Sequence, residues 1–268
     1  MNISFTKMQA SGNDYIFIDN LAGALKHDPC EMAKALCKRG FSIGADGLIV
    51  LERSKIADAK IRIFNADGSE APMCGNATRC AGKLLYESNY LKKSHLKIET
   101  ISGTKDLYLT IKNGAIEKIT VDMGTALVGE MFLFENAGEK FEMREINIGN
   151  EHQVTFVPDV DYLNLSQLGP NFEHNPKFPC GANTEFCEII SENHLKVRTF
   201  ERGVGETLSC GTGACTSAVA AIINGFCSPS KPIQITMRGG DLFVLCDEMM
   251  RLKLIGKAEK VFEGFIQL

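Results

Sequence analysis

The chain has no apolar run long enough to cross a bilayer. Its longest uninterrupted one, Ala218 to Ile223, falls far short of the roughly 20 residues a spanning helix needs. No signal peptide is expected either, because Met1 to Gln9 carries Lys7 within an alternating pattern rather than an apolar core. There is no excess of positive charge: 29 Lys and Arg against 33 Asp and Glu give a formal net charge of -4. That balance offers no basic surface and excludes a nucleic-acid partner. No C-x-x-C occurs among the ten cysteines, and the five histidines lack paired spacing, so no metal site is expected. Neither G-x-x-x-x-G-K-[ST] nor a third glycine after Gly203-Val204-Gly205 is present, so a nucleotide cofactor has no support. The cysteines are not packed in the dense, even pattern of small secreted domains, which favours reduced thiols and a cytoplasmic protein.

What the chain does have is an internal copy. Arg62-Ile63-Phe64, Glu70 and Cys74-Gly75 recur as Arg198-Thr199-Phe200, Glu206 and Cys210-Gly211, a constant 136 positions later. Gly12-Asn13 and Gly44-Ala45 recur as Gly149-Asn150 and Gly181-Ala182 at a shift of 137, and Asp14 falls on Glu151. Preserved order points to one unit used twice. With 268 residues, two modest domains fit. The expected boundary between the two domains falls between residues 122 and 123. Two such units are expected to be pseudo-symmetric, so that equivalent thiols can face one another.

The local patterns suggest strands over Asn2 to Met8, Asp14 to Ile18, Leu48 to Leu51 and Lys60 to Phe64. Asp28-Pro29 reads as an N-cap with proline at the first helical position, opening a helix through Lys38, with a counterpart near Ser166. Helical spacing follows each repeated cysteine, over Gly75 to Asn89 and Gly211 to Asn224. The second of these is apolar nearly all round, which requires strands wrapped about it. Strand-like runs follow each helix, Leu96 to Ile101 and Leu107 to Ile111, then Pro232 to Met237 and Leu242 to Leu245. The segment Thr125 to Ile148 reads as the crossover between units. The fold class is α+β, each domain mostly strand with a central helix.

A cysteine at a helix start meets unpaired amides and the positive end of the macrodipole, which predicts a lowered thiol pKa. The glycine after each cysteine allows close approach, and the amides of Gly75-Asn76 and Gly211-Thr212 suit a carboxylate. An anion held between two thiols describes inversion of the carbon beside a carboxylate: one thiolate removes the α-proton and the opposite thiol returns one. Cys30, Cys37, Cys80, Cys187, Cys215, Cys227 and Cys246 read instead as small core hydrophobes. Glu70 and Glu206 suit capping or surface roles. His152 suits a structural or a chemical role, and Asn13, Asn65, Asn76, Asn150 and Asn183 would all serve as turn residues.

Read together, Ser11-Gly12-Asn13-Asp14, Gly44-Ala45-Asp46-Gly47, Phe64-Asn65-Ala66-Asp67-Gly68-Ser69, Met73-Cys74-Gly75-Asn76 and Glu201-Arg202-Gly203 leading to Cys210-Gly211-Thr212-Gly213-Ala214-Cys215 resemble, nearly end to end, the diaminopimelate epimerases. That family is cofactor-independent and belongs to lysine and peptidoglycan precursor synthesis. The resemblance implies two strand-rich barrels, each around a central helix, with 257–268 returning to the domain of 1–122 and the second domain spanning 123–256, an active site in the cleft between them and a homodimer. It implies that Cys74 and Cys210 are the paired acid and base, and that Gly75, Asn76, Gly211 and Thr212 hold the reacting carboxylate. Asn13 would contact the substrate, Asn65, Asn150, Asn183 and Arg202 its distal end, with His152 and Glu201 assisting near the amino group. A planar guanidinium suits a distal carboxylate because it can bond two oxygens at once.

Ala77, Glu151 and Thr216 depart from that family's usual glycine, proline and alanine. A racemase of another amino acid on the same two thiols, or an isomerase or binding protein of this fold without thiol chemistry, are the alternatives. Both cysteines argue against the latter.

Overall fold

The computed structural model describes residues 2–136 and 138–267. The chain divides into two compact units, Met1–Asp122 with Gly256–Leu268, and Met123–Ile255. In the first unit the strands are β1 (Asn2–Ala10), β2 (Asn13–Asp19), β3 (Gly47–Glu52), β4 (Ala59–Asn65), β5 (Glu70–Ala71), β6 (His95–Thr100), β7 (Gly103–Lys112) and β8 (Ala115–Thr125), joined by β18 (Glu259–Gln267). Its helices are α1 (Pro29–Leu36) and α2 (Gly75–Glu87). The second unit contains β9 (Leu127–Asn136), β10 (Glu139–Asn147), β11 (Glu151–Phe156), β12 (Asn183–Ser191), β13 (His194–Glu201), β14 (Gly205–Thr207), β15 (Ile233–Met237), β16 (Gly240–Cys246) and β17 (Arg251–Gly256). Its helices are α3 (Leu165–Glu173) and α4 (Gly211–Ile223).

The pairing pattern is the same in both units. In the first, β18 and β1 pair antiparallel, as do β1 and β2, and β2 then runs parallel to β3. In the second, β9, β10 and β11 repeat the antiparallel steps and β11 runs parallel to β12. A parallel step cannot be closed by a tight turn and needs a crossover. α1 supplies it in one unit and α3 in the other. The antiparallel pair β3 and β4 matches β12 and β13, and each then takes a second parallel step, β4 to β6 or β13 to β15, with α2 or α4 as the crossover. The strands of each unit form a barrel-like wall around its second helix, whose residues are buried on most sides.

The helices begin where their sequences direct. Asp28 caps α1 by accepting from the Cys30 amide at 3.1 Å, and Pro29 occupies the first turn, where no amide is needed. α1 ends at Leu36, two residues before the expected Lys38, and α2 and α4 end at Glu87 and Ile223. The repeated glycines Gly12 and Gly149 both turn the chain into the next strand, with φ of 85° and 100°. That left-handed backbone is open to glycine without steric cost.

The expected crossover over Thr125 to Ile148 is corrected. β9 and β10 form an antiparallel hairpin there, Phe141 pairing with Phe134 and Met143 with Phe132. Its alternation was obscured because Leu127, Met131 and Leu133 lie exposed on the outer face, so both faces carry apolar residues. The cores themselves differ. α1 buries Met32, Ala33 and Leu36 against Ile16, Leu48 and Phe64. α3 instead inserts Phe172 among Phe134, Phe141 and Phe186, with ring centroids 4.8 to 5.0 Å away. Within α3, Gly169 leaves room for Phe200, since a methyl group there would sit 2.1 Å from that ring. Of the cysteines read as core, Cys30 is only half-buried at the edge of its cluster, whereas Cys37, Cys80, Cys187, Cys215, Cys227 and Cys246 are buried.

Candidate active site

Each repeated arginine and glutamate turns out to build the hairpin that delivers a cysteine to a helix start. Arg62 on β4 donates Nε and Nη2 to the two oxygens of Glu70 on β5, both at 2.8 Å. Arg198 on β13 does the same to Glu206, at 2.8 and 3.0 Å, and also donates to the Val160 and Leu163 carbonyls. Such forked pairs fix direction as well as distance. The Arg62 guanidinium holds the Glu70 carboxyl below its usual range, and Arg198 and Arg238 overcome burial to do so for Glu206. Beyond each hairpin, Cys74 and Cys210 take extended backbone geometry as N-caps, and α2 and α4 begin at Gly75 and Gly211.

The two thiols then meet different surroundings. Cys74 is half-buried, makes no cap bond to its helix, and places its sulfur 3.1 Å from the Tyr15 hydroxyl. Around it, Asn76 donates to the Asn13 side-chain oxygen while its own oxygen accepts from Arg79 at 2.8 Å. Asn13 donates to Asp46 at 3.1 Å, and Arg39 bridges Asp46 and Asp14, the latter also paired with the buried Lys7. Burial alone would raise the Asp14 carboxyl, but Arg39 and Lys7 outweigh it and hold it low. Asn13, Asn76 and the Gly44-Ala45-Asp46-Gly47 segment thus form one polar network beside the α2 start. Asn65 lies at the exposed end of β4, where its side chain donates to the Ser69 hydroxyl at 3.0 Å.

Cys210 is buried, accepts from the Gly213 amide at 3.3 Å and lies 3.3 Å from the Thr212 hydroxyl. The expected lowering of its pKa is corrected. Burial, then the carboxylates of Glu201 and Glu185, push the thiol well above its usual range, with Thr212 and Gly213 opposing only in part. A helix end offers partial charges, and two nearby full charges in a desolvated place win over it. Glu201 itself is raised by burial, against bonds from Thr207 at 2.6 Å and from Cys210.

Sequence reasoning missed Glu185. It is fully buried on β12, and its Oε1 lies 2.9 Å from His152 Nδ1, while its Oε2 and His152 Nε2 have no hydrogen-bond partner. A Cβ at Gly213 would come within 2.6 Å of Oε1, so the absence of a side chain in the first turn of α4 makes room for this carboxylate. The signal was weak because Glu185 belongs to no motif. It reaches His152 only because β11 and β12 run parallel, with His152 opposite Asn183. Asn183 accepts from the Arg202 amide at 3.0 Å, and the exposed Arg202 guanidinium rests on the Cys180 and Gly181 carbonyls. Asn150 lies just before β11, and the following Glu151 accepts from Asn147 at 2.8 Å. His152, Asn183, Glu201, Cys210, Gly211 and Thr212 therefore gather at the α4 start, with Asn150 and Arg202 on its adjoining loops.

The remaining departures are internal. Ala77 and Thr216 are fully buried in α2 and α4, and the Thr216 hydroxyl bonds the Gly213 carbonyl at 3.1 Å. Among the described residues no cluster of three His, Cys, Asp or Glu side chains is placed to hold a metal, and no helix is long and apolar enough to cross a membrane.

Comparison with known proteins adds the family context. The profile described as Diaminopimelate epimerase matches residues 5–128 and 145–261. A Parabacteroides distasonis protein named diaminopimelate epimerase is 42% identical over 269 residues, covering 100% of this chain and 99% of that protein. Among solved structures, a phenazine biosynthesis protein of the PhzF family from Bacillus anthracis superposes with a TM-score of 0.79 at 17% identity over 100% of both chains. A probable proline racemase from Agrobacterium radiobacter K84 also gives 0.79, at 14% identity over 99% of this chain and 93% of that one. At such identities the structural likenesses speak for the fold alone.

Proposed function

The chain belongs to the diaminopimelate epimerase family, and we propose that it interconverts LL- and meso-diaminopimelate by two-thiol α-proton transfer without pyridoxal phosphate. The observation that carries this reading is the paired placement of Cys74 and Cys210 as N-caps of the two central helices, each delivered by the same Arg-Glu hairpin. In the proposed reaction one thiolate takes the α-proton from one face and the opposing thiol gives a proton to the other. No net oxidation occurs, and the cysteines exchange protonation states with each turnover. Negative charge developing on the reacting carboxylate is met by the first-turn amides at Gly75-Asn76 and Gly211-Thr212, groups that a helix itself leaves unbonded.

Cys210, held protonated by burial and its carboxylate neighbours, suits the proton donor in the resting protein. Cys74 then takes the first proton. His152 and Glu201 attend the amino group, Asn13 contacts the substrate, and Asn65, Asn150, Asn183 and Arg202 receive the distal end. Diaminopimelate has the distal carboxylate and amino group that such residues require, whereas a simple α-amino acid does not. The reading carries the family expectations of a cytoplasmic homodimer serving lysine and peptidoglycan precursor synthesis. A panel of diaminopimelate, proline, glutamate and histidine, followed by α-proton exchange with solvent deuterium, tests it. Exchange confined to diaminopimelate is expected, and exchange of proline alone would overturn the substrate assignment.

A second reading, racemisation of another amino acid at the same thiols, draws on Glu151. One of its carboxylate oxygens is buried without a partner between two proposed substrate residues. That carboxylate would favour a substrate with an additional positive charge. The same panel, extended to lysine and ornithine, separates it from the first reading.

A further inference from the structure

Tyr15 is unused by the reaction described above. Its ring is buried on β2, opposite Gly47 of β3, where a side chain would press on the Phe64 carbonyl and approach the ring. A purely apolar ring would pack in this place equally well. A buried phenol usually finds a polar partner, and the one Tyr15 has is the Cys74 sulfur at 3.1 Å. The contrast with Cys210 is direct: that sulfur takes an amide of its own helix, whereas Cys74 makes no such bond. Tyr15 also holds the position in Gly12-Asn13-Asp14-Tyr15 that His152 holds in Gly149-Asn150-Glu151-His152. The duplication thus brings a polar side chain to the same strand position in each unit.

We infer that Tyr15 is a positioning residue for Cys74, its phenolic O–H donating to the sulfur so as to hold the thiolate and aim its lone pair. The consequence for turnover rests on the epimerase reading, while the effect on the thiol itself does not. Burial, followed by the charge of Cys74 and the hydrogen bond to it, keeps the phenol protonated well above its usual range, so it remains a donor. The other titratable groups near the pair are themselves accounted for. Cys80 on α2 is pushed up to about 12 by burial, Arg79 on the same helix bonds Asn76, and Asp46 before β3 is paired with Arg39. A change in Cys74 ionisation on loss of the hydroxyl is therefore assigned to that hydroxyl.

Tyr15→Phe keeps the ring and removes the donor. Iodoacetamide labelling of Cys74 in the full chain without substrate, followed by peptide mapping across pH, reads the result. The alkylation midpoint of Cys74 should rise by about one pH unit, the size expected for one hydrogen bond to a charged sulfur. With diaminopimelate, kcat should fall ~10-fold while KM stays within about twofold. An unchanged or lowered midpoint overturns the inference, the latter because the hydroxyl would then be accepting from the thiol. A merely structural role would lower the unfolding midpoint and leave the alkylation midpoint in place. A raised midpoint in a protein that turns over no diaminopimelate would sustain the role of Tyr15 and remove the epimerase reading. Normal wild-type turnover with no shift would remove the Tyr15 assignment alone.

Discussion

The two helix starts share a chassis and differ in chemistry. Around Cys74 the neighbours are a phenol, amides and a bound arginine, and the thiol is half-buried. Around Cys210 they are two carboxylates, one of them bonded to His152, and a threonine, and the thiol is buried. Duplication thus kept the elements that place a sulfur, the Arg-Glu hairpin and the N-cap, and released those that set its proton affinity. The difference teaches that two thiols placed alike can meet unlike surroundings. In the proposed reaction one thiol begins charged and the other neutral, which such unlike surroundings would favour.

The largest expected effect removes the comparison altogether. Cys74→Ser or Cys210→Ser should each reduce epimerisation by about 10³-fold or more, since a serine hydroxyl is a far weaker acid than a thiol. Full activity in either single variant, measured by conversion between the two stereoisomers, would sink the two-base proposal. Glu201→Gln sharpens the comparison by removing one carboxylate from beside Cys210. Activity should drop ~10²-fold, and the alkaline limb of the pH profile should move down by about one unit as the thiol ionises more readily. A limb that stays in place would show that Glu201 does not act on Cys210.

The hairpins offer a stability version of the same contrast. Arg198 is more enclosed than Arg62, at 13% against 31% side-chain exposure, and bonds two carbonyls besides its glutamate. Urea unfolding should therefore show Arg198→Ala costing about 3 kcal/mol and Arg62→Ala about 1 kcal/mol. Equal losses would mean the carbonyl bonds contribute nothing.

The smallest effect concerns the buried thiols not assigned to chemistry. Burial raises Cys80 to about 12, and Cys187 is raised by burial as well. Above about pH 8.5 the unfolded chain loses these protons while the folded chain keeps them, so stability falls as pH rises. Between pH 7.5 and 9.5 each thiol should account for about 1.4 kcal/mol of that fall. Cys80→Ala or Cys187→Ala should flatten the urea-measured slope by that amount, and a slope identical to wild type would contradict the burial account.

Much of this was legible in the sequence because it was written twice. The helix starts at Cys74 and Cys210, the N-cap at Asp28 and the strand runs flanking each helix all follow local rules, and the repeat doubled the signal. Glu185 and Tyr15 were not legible, since an isolated glutamate and a strand aromatic read as surface and core until parallel pairing or burial places them. The Cys210 ionisation was misread for a related reason. A helix start is visible in sequence, but the burial of the thiol and the carboxylates brought close by other strands are not, and together they outweigh the helix end. The β9 and β10 hairpin was missed because its outer face carries leucine and methionine where a half-buried strand normally alternates.

The central claim is that two different thiols serve the two faces of one carbon. It is tested most directly by starting from pure LL-diaminopimelate in deuterated water and following label in substrate and product at early times. Two distinct bases predict that meso product carries one solvent deuterium at the inverted carbon while recovered substrate carries none. Deuterium appearing in recovered substrate as fast as in product would mean that one base handles both faces, and would contradict the account.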